Sequence, residues 1–407
     1  MSAPATERPL ALALGGLLAL AAAMGIGRFA LTPVLPYMSE AIPLSASEGG
    51  LIASANFLGY LVGALGAAAL PPSRLASGFL AALAASAATS AAMAIDGGLA
   101  WLALVRFAGG VASAGVLVFS STLVLERLAK AGRGGLASLH FSGVGIGIAL
   151  SALTVGWLAR EGSSWQGLWL ACGIVSALLC AGAALLVRPS GTRAGAGAAA
   201  STSNPATSNP PASPSRRRAG LSPALVRLAI AYALFGIGYV VTATFLTSIL
   251  RASERLAPFE APAWAAVGLS AAVSVWLWSR VAARIGGARA FALACALEAV
   301  GVAASVTFTG MAGLGLAAVL LGGTFMGITS LGLIEARRLS GGDPRKVLAL
   351  MTACFGLGQM VGPTLAGLIA DATGSFYWPS MAAAALLVAA ALLVGLFAGR
   401  DEGGATP

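Results

Sequence analysis

Apolar residues run through this chain in long stretches, separated by short connections in which Pro, Ser, Gly and Arg gather. A bilayer core of about 30 Å is crossed by about 20 mostly apolar residues in helical form, because backbone groups left unpaired in lipid are costly. Twelve such runs are predicted. The first six lie near residues 10–38, 48–70, 75–95, 98–125, 136–159 and 165–187, and the second six near 224–250, 262–281, 289–309, 312–334, 346–370 and 376–399. Ala21, Ala22 and Ala23 in the first run offer the small residues of a signal-peptide cleavage site. The apolar stretch is too long for that and eleven more follow, so a retained helix is expected. The pattern predicts an all-α integral membrane protein.

Composition sharpens this. Of 407 residues, 58% are hydrophobic and 9% charged, against roughly a quarter charged in a soluble domain. That is too little charge for a water-facing surface, so most of the outside faces lipid. The net charge of +10 does not form a stripe on a soluble face, and no nucleic-acid partner is expected. The basic residues fall instead into a topology. With both termini cytoplasmic, the outer connections hold only Arg160, Arg251 and Arg255, and Arg28 and Arg106 lie within helices. Every other Lys and Arg falls on the cytoplasmic side, as the positive-inside rule requires for a bacterial inner-membrane protein. Cys172, Cys180, Cys295 and Cys354 sit in apolar runs without a CxxC pair, so packing is expected of them rather than redox or metal chemistry. Neither a cofactor nor a metal is expected.

Three segments follow: a six-helix bundle over 1–187, a flexible linker over 188–223, and a second six-helix bundle over 224–407 that ends in a short cytoplasmic tail. The linker is rich in Pro, Ser, Ala and Gly and cannot bury enough apolar surface to order itself. Its Arg216, Arg217 and Arg218 read as a topology signal, with anionic headgroups as an alternative partner. The halves repeat. Gly25-Ile26-Gly27 before Arg28 corresponds to Gly236-Ile237-Gly238 before Tyr239. Gly109-Gly110 corresponds to Gly322-Gly323, and Gly143 and Gly145 correspond to Gly356 and Gly358. Two such pseudo-symmetric bundles can rock about a central site and open it alternately to each side.

The segment Arg106-Phe107-Ala108-Gly109-Gly110 resembles the Arg-x-x-x-Gly motif of the major facilitator superfamily. Gly358-Gln359-Met360-Val361-Gly362-Pro363 resembles that superfamily's Gly-Pro gating motif, and the resemblance spans nearly the whole chain. Two connections depart from it. Leu70-Pro71-Pro72-Ser73-Arg74 and its counterpart Arg284-Ile285-Gly286-Gly287-Ala288-Arg289 lack the usual Asp, which puts the usual cytoplasmic latch in doubt. GIGRFALTPVLP, SANFLGYLVGAL and HFSGVGIGIALS are similar to the YbfB-like branch. The resemblance implies a secondary transporter, places the first, fourth, seventh and tenth helices around a central cavity, and leaves the substrate open.

An ionisable residue deep in a membrane helix costs about 2.5–3.5 kcal/mol on insertion scales and is a functional candidate by default. Arg28 and Arg106 fall at similar depth, and no acidic residue lies in the membrane part of the first six helices. An organic anion would complete them. The alternative is that Arg106 bonds backbone carbonyls and Arg28 snorkels outward. Asn56, Tyr239 and Gln359 are further candidates for substrate contact. Glu298 and His140 are candidates for proton coupling, with a lateral hydrogen bond and an interfacial helix position as their alternatives. Gly143, Gly145, Gly358, Gly362 and Pro363 are candidates for gating and close helix packing.

No nucleophile, metal cluster or carboxylate pair assembles, so an enzyme is not expected. A sensor would not need two similar halves. The reading is a secondary transporter of a small organic anion, alone or with protons. The alternative is a proton-driven exporter of amphipathic drugs or metabolites. A monomer is expected, because one chain supplies both halves of the pathway.

Overall fold

The computed structural model describes residues 8–187, 222–308, 310–340 and 344–396. Most of the linker expected at 188–223, with Arg216, Arg217 and Arg218, and the terminal tail from 397 lie outside the described residues. Among the described residues, twelve helices are long and apolar enough to cross a membrane: α1 Pro9–Ala41, α2 Ala46–Ala68, α3 Pro72–Ala92, α4 Gly98–Lys130, α5 Gly134–Arg160, α6 Trp165–Leu186, α7 Pro223–Arg251, α8 Ala257–Ile285, α9 Gly287–Thr307, α10 Met311–Arg338, α11 Lys346–Thr373 and α12 Tyr377–Gly395. Each predicted run overlaps one of them. The fourth runs five residues past its predicted end, through a π-helical turn at Ser121–Leu125. An even number of crossings brings Pro9 and Gly395 to one end of the bundle. Large apolar side chains such as Leu104, Leu153, Leu178 and Leu269 point outward and are more than half exposed, as a lipid-facing surface requires.

The halves α1–α6 and α7–α12 meet chiefly where α5 packs on α8 and α2 on α11, with α1 against α7 at the centre. Glycines set these distances. A Cβ on Gly145 would sit 2.3 Å from the Gly268 carbonyl oxygen, and one on Gly50 2.3 Å from that of Pro363. Gly143 and Gly147 press α5 onto Leu17 and Ala21 of α1, and Gly358 presses α11 onto Ala233 of α7. The contacts shift the repeat register read from sequence. Gly147 meets α1 between Ala21 and Gly25, as Gly358 meets α7 between Ala233 and Ile237, so Gly358 is the counterpart of Gly147 and not of Gly145.

Helix α1 is not regular. A π-helical turn spans Ala21–Ile26 and regular helix is interrupted by a turn at Ala30, whose amide still bonds the Ile26 carbonyl and whose carbonyl still accepts from Val34. Downstream, Pro33 and Pro36 lack the amides that would bond the carbonyls of Phe29 and Thr32. The sequence predicts loosening at the prolines; the turn comes three residues earlier.

Candidate functional site

Beside the irregular stretch of α1, α4 supplies a fork of donors to its backbone. The Arg106 guanidinium donates from Nη1 to the Gly27 carbonyl and from Nη2 to the Arg28 carbonyl, both at 2.7 Å. Asn56 of α2 donates from Nδ2 to the Arg106 carbonyl at 2.9 Å. These three polar residues of the first half form one buried cluster with distinct tasks. Arg106 and Asn56 hold the irregular helix, which is the helix-packing alternative weighed for Arg106.

Arg28 is left to face the cavity. It is 4% exposed, so it does not snorkel. Its Cζ lies 4.6 Å from the Phe57 ring centroid and 4.5 Å from that of Tyr60, while Nε and Nη2 have no hydrogen-bond partner. Cation–π contact contributes about 0.5–2 kcal/mol and leaves the in-plane donors unused. The Arg28 side chain is among those lining a cavity of about 410 Å³ that runs from Arg28 and Phe29 to Ile334 and Arg337 at the end of α10, the end that also carries the termini. Tyr239 and Gln359 line it as well, joined by a hydrogen bond from Gln359 Nε2 to the Tyr239 hydroxyl. The lining contains no carboxylate.

Residues the sequence reading did not single out complete the lining. Tyr60 lies one helical turn from Asn56, on the same face of α2. Phe325 of α10 and Phe355 of α11 flank Tyr239 with ring planes 2° and 7° from parallel and centroids 5.6 and 5.8 Å away. Thr329 and Ser330 add hydroxyls. An aromatic at helical spacing in an apolar run carries no signal to separate a cavity wall from core.

Other candidates lie outside the cavity lining. His140 is fully buried, and its Nδ1 fills the space above Gly16, 2.1 Å from where a Cβ would stand. The imidazole is wedged between α1 and α5. Glu298 is also fully buried, in α9, with both carboxyl oxygens unpartnered. Gly143, Gly358 and Gly362 pack helices within a half, whereas Gly145 and Pro363 pack one half against the other.

The far end of the cavity is shut. Thr32 Oγ1 donates to the Ala243 carbonyl at 2.6 Å, and Thr247 Oγ1 donates back to the Thr32 carbonyl, the one Pro36 leaves free. Farther out, Arg251 of α7 binds Glu40 of α1 at 2.6 Å and Glu260 of α8, with Tyr37 under its Cζ at 4.2 Å. The pairs Thr32–Ala243 and Glu40–Arg251 are each 211 residues apart, so repeat counterparts meet each other across the pseudo-twofold axis. Asp371 of α11 accepts from the Ala46 and Ser47 amides at 2.9 Å each, capping α2 from the other half.

This arrangement of halves is found in solved transporters. The chain is similar to the nucleoside transporter NupG, at 15% identity and a TM-score of 0.68 over 96% of this chain and 98% of that one. It is also similar to a bacterial homolog of the human lysosomal transporter Spinster in an inward-facing and occupied conformation, at 14% identity and a TM-score of 0.69 over 98% of each chain. At such identities the likeness is one of fold. No curated protein matches the sequence. The family described as uncharacterised MFS-type transporter YbfB matches residues 20–395, nearly the whole membrane part, and the chain belongs to that family of the major facilitator superfamily.

Proposed function

We propose that this transporter moves a small organic anion across a bacterial cytoplasmic membrane by alternating access, with the basic end and both termini in the cytoplasm. In that orientation the cavity faces inward and the Arg251 and Asp371 contacts close the outer side. The observation that carries the anion is Arg28: a guanidinium with two buried, unpartnered nitrogens, on a side chain that lines a cavity with no carboxylate among its described lining residues. Arg binds carboxylate through paired donors, and hydrogen bonds to a charged group contribute about 1.5–3 kcal/mol. Substrate would bind there with the outer gate closed and leave past Arg337.

Uptake of radiolabelled mono- and dicarboxylates into proteoliposomes, with Arg28→Ala alongside, tests this. The variant is expected to lose transport or to raise KM by about 10- to 100-fold. Unchanged transport removes Arg28 from the site. The largely aromatic lining also fits export of amphipathic compounds; protection of an efflux-deficient host against a panel of neutral or cationic antimicrobials, undiminished by Arg28→Ala, would favour that reading over the first.

A further inference from the structure

We propose that the preferred substrate class is the planar aromatic carboxylates, a narrowing that rests on the anion reading of Arg28. The wall opposite Arg28 is built from the second half, where Tyr239 stands nearly parallel to Phe325 on one helix and to Phe355 on another. Parallel ring faces at a cavity wall favour a flat π-system in offset-stacked contact over a saturated body of the same size, by about 0.5–1.5 kcal/mol beyond area burial. Phe29 meets Phe325 edge-on, 6.0 Å between centroids, so rings from both halves converge next to Arg28.

The polar groups at this place are few and complementary to such a ligand. Arg28 offers two unused nitrogens. The Tyr239 hydroxyl accepts from Gln359 Nε2, which leaves its own proton to donate toward an acceptor. Gln359 Oε1 is buried without a partner and suits a hydroxyl or amine on the ring. A carboxylate held by Arg28 thus brings an attached ring against Tyr239, with room at its edge for one donor substituent. An aliphatic carboxylate would satisfy Arg28 and leave the ring wall with no matching face.

The test is binding of benzoate, cyclohexanecarboxylate and benzamide to the purified full-length protein in detergent, by titration calorimetry at pH 7.5. The first two share charge and approximate size and differ in planarity; the third keeps the ring and lacks the charge. Benzoate is expected to bind about fivefold tighter than cyclohexanecarboxylate, and benzamide more weakly than either. Phe325→Leu and, separately, Phe355→Leu are expected to draw the benzoate affinity toward that of cyclohexanecarboxylate, with thermal unfolding followed to show that each variant is folded. Equal binding of the two carboxylates by the parent protein, or an unchanged ratio in both folded variants, overturns the aromatic preference and leaves the anion reading standing. Benzamide binding as tightly as benzoate, or no binding of either carboxylate, overturns the anion reading and this inference with it.

Discussion

The guanidinium of Arg106 closes on the backbone carbonyl of Arg28, so one buried arginine holds the segment that presents the other. Both Nη atoms are used, on consecutive carbonyls at 2.7 Å, just before the turn that interrupts α1 at Ala30. Removing the fork takes two charge-assisted hydrogen bonds from buried carbonyls, each worth about 1.5–3 kcal/mol. Lys cannot replace it, because an ammonium does not reproduce a planar fork over two acceptors. Arg106→Lys and Arg106→Gln are therefore expected to lower the thermal unfolding temperature in detergent and to speed amide exchange over residues 27–32. If exchange there stays at the parent rate, the grip is not what holds the turn.

Arg251 joins α1, α7 and α8 through Glu40 and Glu260. The Glu40 side chain is 59% exposed, so its share is small; the Glu260 pair is better shielded. Arg251→Ala is expected to loosen the outer gate by about 1–2 kcal/mol, a shift of roughly tenfold in the ratio of outward- to inward-open states. A cysteine placed at Ala243, beside the Thr32 contact, then becomes more reactive to a membrane-impermeant maleimide added outside. Unaltered labelling in Arg251→Ala, and also in Asp371→Asn, would show that neither contact governs closure.

Much of this was legible from the chain, for a physical reason: a lipid solvent leaves few ways to place apolar and basic residues, so the helices and their two halves followed from hydropathy and Arg positions. Three of the five candidates for substrate contact, Arg28, Tyr239 and Gln359, do line one cavity. What a linear pattern does not carry is the direction in which a side chain faces and what its neighbours lack. Asn56 and Arg106 do not line that cavity and donate to backbone carbonyls instead. Arg251 reads in sequence as one of three outer arginines, and only the packed helices bring it to Glu40 and Glu260.

Gly145 and Gly268 mark the closest approach of α5 and α8. A methyl on Gly145 would stand 2.3 Å from backbone atoms of α8, which cannot be relieved by rotating a side chain. Gly145→Ala is expected to cost about 1–3 kcal/mol and to slow substrate exchange, since this interface must slide as the halves rock. Gly135→Ala, where a Cβ meets nothing within 4 Å, should behave as the parent protein. Equal exchange rates for the two variants would show that the crossing tolerates a methyl.

Glu298 is the one carboxyl group among the described residues whose oxygens are buried and unpartnered. It lies in α9, packed against α10 and α12 rather than on the cavity wall, and within electrostatic reach of Tyr239, which does line the cavity. An ionisable group so placed costs stability, and a proton that binds and leaves it is the function that would justify keeping it. Gln matches its size and hydrogen-bonding reach and cannot release a proton. An imposed pH gradient is expected to drive extra accumulation in the parent, and Glu298→Gln is expected to fold, to keep exchange of substrate across proteoliposomes at zero pH gradient, and to lose that extra accumulation. Gradient-driven accumulation that persists in the variant assigns Glu298 to lateral helix packing and leaves coupling to another group.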